Sequence, residues 1–201
     1  SRMTMNRKQA LLDAAIKLFA TNGFDATSTA SIAQYAGVTE PLIHYHFKSK
    51  DGLFTHILET IFAEYFDRFD ALPEKTPTEF DKLVNLIRFH FRFAEDFPDE
   101  TFIVISACPS KLQEAAHVCA QYVKTQGERV SGYVAGCLVR GIASGEFRPV
   151  PVPATTGMLL ASVNGLMRRK SLHLDEIDGL LGAVLDFCRH ALCKEPDKAK
   201  G

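Results

Sequence analysis

Apolar side chains recur every three or four residues along this chain, and no stretch alternates in twos long enough to make a half-buried strand. Leu11, Ala14, Ala15, Leu18 and Phe19 set this spacing in a first helix, expected over about Arg7 to Asn22 and stopped by Gly23. Thr27, Ser28 and Thr29 offer capping hydroxyls for a short second helix ending near Ala36. After Gly37, Thr39 is the expected cap of a third helix that reaches Phe47, with Pro41 tolerated in its first turn. Longer helices are expected over Lys50 to about Ala71, about Thr78 to Phe97, Asp99 to Ala107, and about Leu112 to Ser144 with an irregularity at Gly127. A Gly/Pro connection, Gly145 to Pro153, leads to two more, about Ala154 to Lys170 and about Asp175 to Lys194. The expected fold is all-α, with about nine helices: a head of three short ones over residues 3–52, then a larger bundle over residues 53–194. The polar tail, residues 195–201, is expected to be disordered.

Composition narrows the function classes. Hydrophobic residues make up 46% and charged residues 23%, a globular balance. The 23 Lys and Arg against 24 Asp and Glu exclude a uniformly basic coat, but not a local basic patch. Residues 1–52 carry six bases and four acids, so what positive charge there is falls in the head. Five thinly spread cysteines suit reduced thiols in a cytoplasm better than a disulfide framework. No segment has the build of a signal peptide or of a membrane helix, so no membrane partner is expected. There is no H-E-x-x-H, P-loop, G-x-S-x-G or dinucleotide fingerprint, and no enzymatic activity or cofactor is expected. Cys188, His190 and Cys193 share one helical segment but diverge around it, so no metal site is expected there.

The most informative stretch runs from Thr27 to Lys50, T-S-T-A-S-I-A-Q-Y-A-G-V-T-E-P-L-I-H-Y-H-F-K-S-K. Two short helices joined by a tight turn make a helix-turn-helix if they cross closely. Ala33 is small where the crossing must be close, and Gly37 suits a positive φ at the turn. Ile32, Val38 and Ile43 have the spacing to lock the pair together. The same pattern also suits an ordinary helix–Gly–helix corner.

Across about Ala10 to Leu58 the chain resembles the TetR family of bacterial transcriptional regulators. The resemblance lies in A-A-I-K-L-F-A-T-N-G-F, T-S-T-A-S-I-A-Q-Y-A-G-V and L-I-H-Y-H-F-K-S-K-D-G-L-F, with G-E-F-R-P resembling the family's loop before its last two helices. It implies a third helix lying in the DNA major groove. Thr39, Glu40, Leu42 and His44 are then candidate base contacts, Glu40 as an acceptor from cytosine N4, and Pro41 and Leu42 suit a thymine methyl. Ser28 and Thr29, together with Tyr45, His46, Lys48 and Lys50, are candidate phosphate contacts. His44 is a departure, because the family most often has Tyr there. Ile43 and Phe47 are expected in the core.

The resemblance further implies a homodimer on an inverted repeat of double-stranded operator DNA, formed through the last two helices. Met158, Leu159, Val163, Leu166 and Met167 on one, and Ile177, Leu180, Leu181, Val184, Leu185, Cys188, Ala191 and Leu192 on the other, supply apolar stripes. It also implies an effector site in the larger domain. Phe62, Phe66, Phe89, Phe93, Phe102, His117 and Tyr122 are candidates to line it for a small, largely apolar effector. The expected function is a DNA-binding repressor released by that effector, with Leu53 to Phe69 as the lever. Control by a protein partner, or by thiol oxidation at Cys108 or Cys193, is the alternative. An all-helical enzyme or carrier stands further off.

Overall fold

The structure, a computed structural model, describes residues 2–106, 118–172 and 178–194. Among these residues it has nine helices: α1 (Arg2–Asn22), α2 (Thr29–Ala36), α3 (Pro41–Phe47), α4 (Lys50–Asp70), α5 (Glu79–Asp96), α6 (Pro98–Ser106), α7 (Val118–Ser144), α8 (Val152–Ser171) and α9 (Leu180–Leu192). The all-α expectation holds, and the boundaries differ in instructive places. α3 starts at Pro41, not Thr39, and Thr39 does not cap it. The preset φ of Pro41 opens the helix instead. α7 runs unbroken through Gly127, where an added Cβ would meet nothing. α9 starts only at Leu180, behind a left-handed Gly179 (φ 75°). The predicted helix ends at Ala107, Leu112 and Asp175, the residues His117 and Ile177, and the tail 195–201 lie outside the described residues.

The chain divides into two compact units. The first comprises Ser1–Asp67 and Phe97–Lys124. Its core gathers Leu11, Ala15, Phe19, Ile32, Ile43, Leu53 and Phe54, all fully buried. Phe19, Phe24 and Phe54 pack as a triangle, with ring centroids 5.1–5.5 Å apart. Two of the three contacts are edge-to-face and the Phe19–Phe24 pair is stacked, geometries that add to the area they bury. α1 packs against both α2 and α6. Lys17 on α1 reaches Asp99 on α6 at 3.3 Å, an exposed pair of small energetic weight.

The second unit comprises Arg68–Asp96 and Thr125–Gly201. Its centre is α5, which packs against α8 and α9. The Glu146 carboxylate caps α5, accepting from the Glu79 and Phe80 amides at 2.9 and 2.8 Å. This satisfies two donors that the helix leaves unpaired and places an anion at its positive end. Glu79 in turn binds the Arg140 guanidinium through both carboxylate oxygens, which holds its carboxyl below the usual range. Phe147 is fully buried against Gly141, where an added Cβ would fall 2.1 Å from its ring. The segment around Phe147 pairs with the end of α9: Arg148 N–H donates to Leu192 O (2.9 Å) and Lys194 N–H to Glu146 O (3.2 Å). That pairing, with extended backbone at Cys193, is where α9 stops.

His90 lies in this unit with 5% exposure, its Nδ1–H donating to Leu86 O at 2.8 Å. Burial holds its pKa down to about 4. An unfolded histidine protonates near ~6.5. Below that pH the unfolded chain binds the extra proton, so the stability held at neutral pH is lost as the pH falls toward 4. Between pH 7 and 5 the loss from this group is about 2 kcal/mol. Urea unfolding at the two values checks it: His90→Leu should show a smaller drop by that amount, and equal drops would refute the assignment.

Candidate nucleic-acid interface

Local hydrogen bonding shapes the helix-turn-helix. Ser28 is extended (φ −95°, ψ 156°); its Oγ accepts from Ser31 N–H at 3.0 Å while Ser31 Oγ accepts from Ser28 N–H at 3.1 Å. Serine thus fills both places of a capping box, a pattern usually completed by Glu or Gln. Of the three hydroxyls that could cap α2, Ser28 alone does so. Thr27 is buried and its Oγ1 bonds backward to Gly23 O at 2.7 Å. Thr29 Oγ1 donates to Glu40 Oε1 at 2.6 Å. At the other end of α2, Gly37 is left-handed (φ 66°, ψ 33°), and Val38 N–H returns to Ala33 O at 3.0 Å. Ala33 is 2% exposed, so α2 and α3 cross over a residue with almost no side chain.

α3 is divided into two faces. Ile43 and Phe47 are buried, at 0% and 7% exposure. Thr39, Pro41, His44, Tyr45 and Lys48 are exposed; Glu40, Leu42 and His46 are half-buried. Tyr45 is the most open, at 79%. His46 Nε2 is enclosed with no hydrogen-bond partner, and its ring packs edge-on to Tyr45 at 4.9 Å.

The join between α3 and α4 is tight. Lys48 has φ 69° and ψ −38°, and Ser49 N–H donates across it to Phe47 O at 2.8 Å. This is a γ-turn of the rare, strained hand. Among the described residues Lys48 is the one non-glycine with positive φ. Gly52 follows where a Cβ would come within 2.1 Å of Phe47 O, so a glycine is required there. Lys50 points inward: its Nζ donates to Phe24 O (2.9 Å) and Thr27 O (3.0 Å) and sits 4.3 Å above the Phe24 ring. Lys50 therefore braces the loop between α1 and α2 against the start of α4. Lys8 covers the Phe47 ring at 5.5 Å.

The candidate effector residues form two groups, one in each unit. In the first, Phe62 stacks on Tyr122 (5.2 Å, 8°) and on Phe66 (6.3 Å), and Phe102 is half-buried. In the second, Phe89 and Phe93 are buried 6.1 Å apart, and Phe69 packs on Phe89 and Tyr133. Sequence reasoning missed an apolar hollow of about 510 Å³ in the second unit. It is floored by Leu83, Ile87 and His90, and edged by Met158, Gly165 and Phe187. Met158 and Phe187 are 49% and 66% exposed. Phe187 sits at the edge of the α9 stripe, in period with Leu180, Val184 and Ala191, so the same spacing could have found it.

Burial pushes the described thiols up, Cys137 to about 11, with Cys188 and Cys193 in the same direction. This depletes the thiolate that thiol oxidation needs. Cys108 lies outside the described residues. The described residues contain no cluster of metal-ligating side chains, and no described helix is long and apolar enough to cross a membrane.

Comparison with known proteins agrees with this geometry. Residues 11–57 match the profile of bacterial regulatory proteins of the tetR family. The transcriptional repressor KstR2 of Mycolicibacterium smegmatis is 26% identical over 144 residues, 72% of this chain and 69% of that protein. The transcriptional regulator BetI of Rhizobium meliloti is 31% identical over 112 residues, 56% of this chain and 55% of that protein. The crystal structure of Bacillus subtilis FadR in complex with stearoyl-CoA shares the fold, with a TM-score of 0.69 and 21% identity over 92% of this chain and 98% of that one. The likeness to tetR-family transcriptional regulators thus lies in the helix-turn-helix head, residues 11–57, and the likeness to FadR lies in the fold.

Proposed function

We propose that this regulator is a cytoplasmic, homodimeric repressor, without enzymatic activity, that binds an inverted repeat in duplex DNA and is released by a small, largely apolar effector. The two-faced α3 carries the reading: Ile43 and Phe47 are buried while Thr39, Pro41, His44 and Tyr45 stay open to a major groove. Leu42 and Pro41 offer apolar contact to thymine methyls, and His44 and Thr39 offer polar contact to base edges. Ser28, Tyr45, His46 and Lys48 serve phosphates. Lys50 acts through the loop it braces, and its remaining N–H can still meet a phosphate.

Dimerisation falls to the outer faces of α8 and α9. Phe187 and Met158 are large apolar groups left open beside a hollow edged by Gly165, where an added Cβ would meet nothing. A second copy related by a two-fold axis would seat each Phe187 against the other's small residues. The effector reading is supported by the Phe62, Phe66 and Tyr122 stack and by the acyl-CoA that FadR is solved with. α4, which continues from the head into the second unit, is the proposed lever. The effector would act by preferring the dimer state in which the heads are wrongly spaced for DNA.

Selection from a random duplex pool tests the central claim. An inverted repeat should emerge with half-sites one DNA turn apart, ~34–36 Å, and affinity should fall steeply with salt. Recovery of no symmetric site would overturn it. Phe187→Asp should convert the dimer to monomer in sedimentation and lose the repeat while leaving the helical spectrum intact; an unchanged dimer would refute the assigned surface. Lys48→Gly separates strain from contact. Thermal unfolding should show stability held or raised by up to about 1 kcal/mol. Affinity should fall for all sequences, with a salt slope smaller by about one.

A further inference from the structure

Glu40 is an odd residue for a surface meant to face phosphates. Its backbone is already helical (φ −57°, ψ −39°), and its side chain does not cap α3. It turns toward the start of α2, where Oε1 accepts the Thr29 hydroxyl at 2.6 Å. A free glutamate here would swing among rotamers and repel DNA of every sequence. The Thr29 bond removes that freedom and uses one oxygen. Oε2 accepts nothing from the described residues, and Glu40 as a whole is half-exposed beside Thr39 and Pro41, both open to solvent.

We infer that Thr29 positions Glu40 as a specificity determinant, whose second carboxylate oxygen accepts the exocyclic amino group of one cytosine in each half-site. The inference rests on the DNA-reading function proposed above. A fixed acid lowers affinity for every site and recovers the loss only where an amino group meets it, so it discriminates by penalising the wrong base. Thr29 is then a positioning residue, not a phosphate contact, because its single proton is committed to Glu40. The pair spans the turn, so the geometry of the corner sets where the carboxylate lies.

The test uses the full-length protein and the duplex recovered from the random pool, with each base pair replaced in turn. Wild type should prefer cytosine at one position of each half-site by about tenfold. Thr29→Val should erase that preference and leave the others, while Thr29→Ser should keep it. Glu40→Ala should erase it and bind mismatched sites more tightly. Glu40→Gln should move the preference to adenine, because an amide presents both an acceptor and a donor. Thermal unfolding verifies that each variant is folded; Thr29→Ser and Glu40→Gln retain the hydrogen bond and so remain informative if Thr29→Val is not. Base preferences unchanged in Glu40→Ala and Glu40→Gln would overturn the inference and leave the DNA-reading function standing. Failure of the wild type itself to select a repeat would instead remove that function, and this inference with it.

Discussion

A helix as short as α3 cannot hold itself. Seven residues are far below the length at which an isolated helix persists in water. Its N-terminus has no side-chain cap, and its C-terminus runs into a strained γ-turn. Its existence rests on burying Ile43 and Phe47 in the core shared by α1, α2 and α4. Everything exposed on the other face follows from that burial. Because successive side chains turn by a fixed angle around a helix, anchoring positions 43 and 47 aims positions 44, 45 and 48 outward. The exposed face is the complement of the core, not an independent feature.

The supports around α3 are polar and act at its ends. Lys50 holds two loop carbonyls, Ser49 Oγ accepts from Gly52 N–H at 3.0 Å, and Thr29 holds Glu40. None of these bonds is large in net energy. Their value lies in removing alternative placements of a short element. The strained φ at Lys48 is held in the same setting, where the tight turn joins α3 to α4. The second unit uses related chemistry: Glu146 caps α5, and Phe147 closes against Gly141. It differs in leaving apolar side chains open on α8 and α9, Met158 and Phe187 among them.

Much of this was legible in the residues. Period-3.6 spacing located all nine described helices, and the Ala33, Gly37 and Ile43 spacing located the corner, because close crossing, positive φ and burial each demand a particular residue type. The buried roles of Ile43 and Phe47 followed from the same period. What could not be read was the partner of each polar side chain. Thr27, Ser28 and Thr29 are chemically near-equivalent as caps, yet one caps, one turns back to α1 and one crosses to Glu40. Lys50 looks like a surface cation in sequence and is an internal brace in the fold. Phe187 is in period with Leu180, Val184 and Ala191, at the edge of the stripe, and its exposure became visible only once α5 had claimed the other face of α9.

The sequence by itself determined the helices and their order, because backbone propensity, turn chemistry and apolar period are local and survive without knowledge of neighbours. Only the tertiary structure decided which hydroxyl bonds which carboxylate, which lysine points inward and which apolar groups stay open. Those outcomes depend on residues distant in sequence arriving within about 3 Å of each other, the range in which a hydrogen bond forms, and no local pattern carries that information.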